Sequence, residues 1–305
     1  LKNNLINIDK FYYAVKANSN KEILKLIEIQ GYGMECVTIN EVKYIRENVS
    51  NIVPITFTPN YCNILDYKKA YEYNAEVIID NIQVIEKYPE IFSGKEIGIR
   101  IDTECGAGHH EKVITEGKNV KFGLSLDDIE VISLLAKHND IKIVGLHSHK
   151  GSGILKPELW GDTLQTLMKY SHLFPYLKWL DLGGGLGVVE KPGDIPLNLS
   201  DVNNKLYKTK YEIRIEPGRY LVSEAGILLT DVSQVRRKGD VNFIGVDAGM
   251  NSLIRPTLYN AYHRIHNISK IDNPKIKKYT IVGPICETGD VFGKDRLLPE
   301  TTDGD

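Results

Sequence analysis

The chain has 305 residues, 42% of them hydrophobic, and a formal charge of -2. That length accommodates one large α/β domain and a smaller one around a sizeable core, and the near-neutral balance excludes broad electrostatic attraction to nucleic acid or an anionic membrane. Cys36, Cys62, Cys105 and Cys286 lack CxxC spacing, and there is neither a charged-then-apolar leader nor an apolar run of about 18 residues; a reducing cytoplasm is the expected location, with no disulfide framework or zinc site.

The first strand is expected over 11–16, where the aromatic and β-branched run FYYAVK ends on Lys16. Asn18-Ser19-Asn20 then opens an amphipathic helix, KEILKLIEI. A lysine at the mouth of such a strand-to-helix turn is either a solvated strand-end residue or a desolvated amine able to form a Schiff base with pyridoxal 5′-phosphate. Further strands are predicted over 32–37, 52–58, 75–80, 96–102, 141–147, 177–182 and 211–216, with one-faced helical stretches such as LDDIEVISLLAKH between them. Eight alternating units predict an α/β fold of the TIM type, a (β/α)8 barrel over residues 1–222. The stretch 103–124 lacks helical periodicity and reads as a long functional loop. After 222 the texture changes to short strands broken by Gly, Pro and Asn, which predicts a smaller β-rich domain over 223–305.

Barrel chemistry sits at the carboxyl ends of the strands. Lys16, Arg100, His147, His149, Gly183 to Gly185, Glu216 and Arg219 all fall at or just past those ends and are expected to ring one mouth. Gly183-Gly184-Gly185 offers backbone N–H groups without steric bulk, suited to a phosphate, although a tight turn is the plainer reading. His147 and His149 share a strand face, so a metal pair competes with other roles. No third ligand has sensible spacing, because His109 and His110 are adjacent in the long loop and their side chains diverge; no metal is expected, and His147 is read as a residue that either supports a site side chain from behind or packs.

The segments FYYAVKAN (11–18), HSHKGSG (147–153), LDLGGGLG (180–187), IEPGRYLV (215–222) and GPICETGD (283–290) together resemble, in order and over nearly the whole chain, the pyridoxal-phosphate-dependent decarboxylases of the alanine-racemase-like fold. Among these the chain is most similar to the diaminopimelate decarboxylases. The resemblance implies a pyridoxal 5′-phosphate cofactor on Lys16, whose pKa burial and a cationic environment would lower. It implies an ionised Glu216 facing the pyridine nitrogen, His149 stacked on the ring, and Ser152 with Gly183, Gly184 and Gly185 at the phosphate. Arg219 is then a further anion contact, for phosphate or for a substrate carboxylate. Cys286 is implied to cross a dimer interface and donate a proton, and Glu287 to meet the substrate's distal ammonium from the partner subunit, so the expected assembly is a homodimer with shared active sites.

The segment MNSLIRPTLYNAYH (250–263) resembles the part of the diaminopimelate enzymes in which Arg255 and Tyr259 would grip the distal carboxylate. An arginine–carboxylate fork favours meso-diaminopimelate over ornithine or lysine, which lack that group; the alternative is another basic amino acid decarboxylase of the same fold, of the ornithine or arginine type. A silent regulatory relative would be free to lose Lys16, Glu216, Arg255 and Cys286, and a racemase is disfavoured by CETGD and RPTLYNAYH. FTPNY, GAGHHEKVITEG, LGVVEKPG and MNSLIRP further resemble the decarboxylase half of proteins fused to an aspartate kinase, so a kinase domain outside this chain is an expectation. GSG and CETGD stand where the family commonly has GSQ and CESGD. The chain opens on Leu1 and ends before a GAY segment, so the β-rich domain is expected to be truncated.

Overall fold

The computed structural model describes residues 1–117 and 120–305. Eight parallel strands form a closed barrel in sequence order: β1 (Lys10–Ala14), β2 (Gly33–Cys36), β3 (Ile55–Phe57), β4 (Glu76–Ile79), β5 (Glu96–Arg100), β6 (Lys142–His147), β7 (Trp179–Asp181) and β8 (Glu212–Ile215). The ring closes where Lys10 and Phe11 pair with Arg214 and Ile215. Every strand lies inside the run expected for it, apart from Lys10 at the start of β1. The crossovers carry helices α1 (Lys21–Ile29), α2 (Ile39–Asn48), α3 (Ile64–Glu72), α4 (Ile82–Lys87), α5 (Pro89–Phe92), α6 (Asp128–His138), α7 (Glu158–Tyr170) and α8 (Leu199–Lys205), with a short α9 (Arg219–Val222) after β8.

Local chemistry sets these boundaries. Asn20 accepts from the N–H groups of Glu22 and Ile23 and so opens α1, while Thr38 and Glu41 form a reciprocal capping box on α2. The first strand stops at Ala14, and Lys16 belongs to a 3-10 turn over Val15–Ala17.

Side chains two apart on a strand share a face, and inside the barrel this builds two layers. In the lower one, Arg214 lies 4.3 Å from the Trp179 ring and 5.2 Å from that of Tyr12, and pairs with Glu76 and Glu212 at 2.6 and 2.7 Å. Gly98 and Gly145 make room for Trp179: a Cβ on Gly145 would fall 2.0 Å from the indole. This packed floor closes the barrel. Two residues further along six strands, Glu35, Asp80, Arg100, His147, Asp181 and Glu216 form a buried polar layer above it.

The chain divides into two compact units, 1–188 with 196–224, and 189–195 with 225–305. The second holds a four-stranded sheet in the order β12-β11-β10-β9, built from β9 (Val232–Lys238), β10 (Val241–Val246), β11 (Lys277–Val282) and β12 (Val291–Leu298), and a short helix α10 (Arg255–Tyr259). Its core is Ile244, Val246, Tyr279, Ile281, Phe292 and Leu298. No helix among the described residues is long and apolar enough to cross a membrane.

Candidate active site

The polar layer and the loops above it hold the barrel residues singled out in the sequence. Lys16 Nζ donates to Glu35 Oε2 at 2.5 Å. Half of the lysine side chain is accessible, 52%, because it lines the open mouth, whereas Glu35 is 2% exposed. The amino end of Lys16 lies against buried Glu35. Burial lowers its pKa, but the attraction of Glu35 and then Glu216 more than reverses this, and Lys16 stands above the ordinary lysine value. That corrects the expected lowering: the cationic neighbour is there, in Arg100, but the carboxylates outweigh it.

Among the described residues this layer holds four carboxyl groups, Glu35, Asp80, Asp181 and Glu216, beside two cations, Lys16 and Arg100, with Arg214 in the layer below also attracting Asp181 and Glu216. Burial, reinforced by Glu35, pushes the Glu216 carboxyl up to about 8, and burial reinforced by Glu216 pushes Asp181 to about 8. Among these neighbours Glu216 therefore holds a proton near neutral pH. Burial depresses His147 to about 4, so it is neutral. Its Nε2 lies 3.1 Å from Glu216 Oε2; of the two readings of His147, the structure favours the one that supports a site side chain.

The sequence pairs His147 with His149 as the rival metal ligands; among the described residues, the three-residue group that could hold a metal ion is a different one. His147 instead groups with Asp181 and Glu216, whose donor atoms lie within 4.8 Å of one another, a cluster suited to a positively charged group. His149 turns to the glycine loop, its Nδ1 accepting from the Gly184 N–H at 3.1 Å. Burial, then Arg100, keeps its pKa well below the usual histidine value.

The glycine loop is shaped by close approach. Gly183 and Gly185 have φ of +67° and +87°, and a Cβ on Gly184 would fall 2.2 Å from the Glu216 carbonyl oxygen. The Gly183 N–H donates to Asp181 Oδ1 at 2.9 Å. Two of the three amides expected to meet an anion are thus directed at Asp181 and His149. Ser152 and Arg219 are brought together, Nη2 donating to Oγ at 2.6 Å.

The long loop is held by a buried network the sequence did not disclose. Glu116 accepts from Thr103 and Ser148, and Lys150 Nζ lies 3.6 Å from Glu116 and donates to Thr103 at 3.0 Å. All four residues are buried. Glu35 and Asp181 were likewise missed; a charged residue at inward parity in an otherwise apolar strand was the available signal.

In the second unit, Arg255 begins α10. Its Nη2 donates to Glu190 Oε1 at 2.5 Å, and its Nη1 lies 3.1 Å from His263 Nε2. Tyr259, at the end of the same helix, is half-buried. Cys286 and Glu287 are exposed on the turn before β12. Buried Asp290 accepts from the N–H groups of Met250 and Ile285 at 2.6 and 2.9 Å, which ties that turn to the segment leading into α10.

Residues 1–223 match the family described as pyridoxal-dependent decarboxylase, pyridoxal binding domain. A diaminopimelate decarboxylase of Methanothermobacter thermautotrophicus is 33% identical, with 96% of this chain and 72% of the relative covered. One of Aquifex aeolicus is 34% identical, over 96% and 73%. Among solved structures, diaminopimelate decarboxylase from Helicobacter pylori complexed with L-lysine is similar with a TM-score of 0.91 and 31% identity, covering all of this chain and 79% of the other.

Proposed function

The chain belongs to the pyridoxal-dependent decarboxylases, and from that premise we propose that it removes CO2 from meso-2,6-diaminopimelate to give L-lysine, using pyridoxal 5′-phosphate. The observation that carries the reading is the gathering of Lys16, His149, the glycine loop and Glu216 at one barrel mouth, in a chain about a third identical to diaminopimelate decarboxylases.

The residues suit the cofactor. Glu216 Oε1 is buried and has no hydrogen-bond partner, and its layer carries more carboxyl groups than cations, so a protonated pyridine nitrogen satisfies both the atom and the charge. When bound, pyridoxal phosphate supplies an electron sink for the carbon that loses CO2. Lys16 is the attaching amine. Its proton must leave before the amine acts as a nucleophile, and Glu35 Oε2, at 2.5 Å, is placed to take it. Glu216, ionised opposite such a cation, would keep the ring nitrogen protonated, with His147 donating to its other oxygen. Neutral His149, oriented by the Gly184 N–H, would lie against the ring. Gly183, Gly184 and Gly185 would leave the phosphate wall free of side chains, and Ser152 and Arg219, already paired, would hold the anion.

Arg255 and Tyr259 take the distal carboxylate, Glu287 the distal ammonium, and Cys286 protonates the substrate carbon. The last two act on the partner subunit's site in a cytoplasmic homodimer, consistent with their exposure. A fused aspartate kinase domain remains part of this proposal on motif resemblance alone. The test is a direct assay of the pyridoxal-phosphate-loaded protein for CO2 and L-lysine from meso-diaminopimelate, alongside Lys16→Ala. Turnover of meso-diaminopimelate that is lost with the visible cofactor band in Lys16→Ala supports the reading. Turnover of ornithine or arginine in place of diaminopimelate, or an unaffected Lys16→Ala, overturns it.

A further inference from the structure

Where the chain leaves β6, the side chains of residues 147–150 alternate between two tasks. His147 meets Glu216 and His149 meets the Gly184 N–H. Between them, Ser148 and Lys150 turn to the long loop, where Glu116 receives both: its Oε1 accepts from the Ser148 hydroxyl and its Oε2 lies 3.6 Å from Lys150 Nζ. Thr103 completes the join, donating to Glu116 and accepting from Lys150 at 3.0 Å, and Lys150 also donates to the Cys105 carbonyl at 3.3 Å. The Lys150 and Glu116 side chains are only 4% and 2% exposed. Around the pair the two backbones are tied together. The Thr115 hydroxyl donates to the His149 carbonyl, the N–H groups of Ala107 and Thr115 donate to the Lys150 carbonyl at 3.0 and 3.3 Å, and that of His109 donates to the Ser152 carbonyl at 3.0 Å. Gly151 permits so close an approach: its φ is +145°, and a Cβ there would fall 1.9 Å from the Ala107 carbonyl oxygen.

An ion pair withdrawn this far from water loses in desolvation much of what it gains in attraction, and apolar side chains of similar volume often serve stability as well. What the charges supply is a single arrangement. Glu116 is satisfied only where Thr103, Ser148 and Lys150 coincide, so one carboxylate sets the loop's alignment against the exit of β6. We propose that Glu116, with Lys150 as its counter-charge, is a positioning residue for His149. By holding Ser148 and Lys150 on either side, and by placing Thr115 on the His149 carbonyl, it fixes the backbone from which the imidazole is set against the cofactor ring. This rests on the reading of the barrel mouth as a pyridoxal phosphate site.

The experiment is a double-mutant cycle on the full chain, with Glu116→Gln and Thr115→Val each made alone and together with His149→Ala. Glu116→Gln removes the charge at constant volume, and Thr115→Val removes only the hydroxyl. The readouts are the apparent dissociation constant of pyridoxal phosphate by equilibrium dialysis, the visible circular dichroism of the bound cofactor, and kcat and KM for meso-diaminopimelate. A thermal midpoint serves as the stability control. A well-placed ring contact is worth about two- to tenfold in affinity. Glu116→Gln and His149→Ala should each raise the dissociation constant by that much, weaken the dichroism and lower kcat with KM little changed. The combined variant should be no worse than His149→Ala alone. If Glu116→Gln does not fold, Thr115→Val is read in its place and should show a smaller loss that also vanishes beside His149→Ala. Losses that simply multiply would mean that Glu116 and Thr115 act independently of His149. A lowered thermal midpoint with parental affinity, dichroism and kcat would mean that the pair is structural only; either result overturns the proposal. A parent that binds pyridoxal phosphate without turning over meso-diaminopimelate would remove the decarboxylase reading, and the dissociation constants would still decide the role of Glu116.

Discussion

Replacing Glu35 with glutamine removes the charge that holds the Lys16 proton while keeping side-chain volume. At 2.5 Å and an effective dielectric of about 20, the gross attraction is roughly 6–7 kcal/mol. Most of that is offset by the desolvation of Glu35 and by water reaching the half-open lysine, so the remaining effect is a pKa change of about one to three units. The direction follows from the opposing influences: with Glu35 gone, burial and Arg100 still lower the Lys16 pKa, against Glu216 alone. The amine of Glu35→Gln should therefore become unprotonated at lower pH than in the parent. The assay mixes cofactor-free protein with pyridoxal phosphate and follows the visible band as the lysine attaches, across neutral and alkaline pH. The rate should rise with pH in both proteins, with the variant's rise displaced downward by about one to three pH units. Superimposable profiles, or a displacement to higher pH, would refute the role of Glu35 as holder of the Lys16 proton.

Gly184→Ala should cost about 1–3 kcal/mol of stability through overpacking and weaken cofactor retention, because its Cβ falls 2.2 Å from the Glu216 carbonyl oxygen; thermal unfolding and equilibrium dialysis of pyridoxal phosphate check both, and an unchanged protein would contradict the close approach. Asp181 and Glu216 hold their protons up to about 8 when folded but release them near ordinary carboxyl values, about 4, when unfolded. Their contribution to the stability of cofactor-free protein is thus fully present below about pH 4 and is lost as pH rises to about 8. Denaturant midpoints measured across that range should show this decline, and it should be smaller in Glu216→Gln; equal slopes would count against the buried, protonated carboxyl. Finally, if Cys286 serves the partner's site, mixing inactive Lys16→Ala and Cys286→Ala subunits should recover about a quarter of parental activity, since half of the randomly exchanged dimers contain one intact site. Exchange seen by mass spectrometry without recovery would show that each chain builds its site alone.

The barrel was legible because its signal is local. Eight β-branched runs, one-faced helical stretches and caps such as Asn20 depend on neighbours a few residues away, and the rule that chemistry sits at strand ends then pointed to Lys16, His149, the glycine loop and Glu216 without any coordinates. Parity along a strand also marks Glu35 and Asp181 as inward-facing once the strands are known. What those residues meet was decided only by closure of the ring. Lys16 and Glu35 are 19 residues apart and His147 and Glu216 are 69 apart, yet each pair is within hydrogen-bond reach. The sign of a pKa shift follows these distances: a lysine read as depressed by burial proves to be raised, because a neighbouring strand delivers a buried carboxylate to it. The same holds for the aperiodic loop, tied down by Glu116 and Lys150, and for Arg255, matched to Glu190 across 65 residues. Periodicity encodes which face a side chain takes; Coulomb and hydrogen-bond energies depend on separation in space, and that is set by strand register and packing across the whole fold.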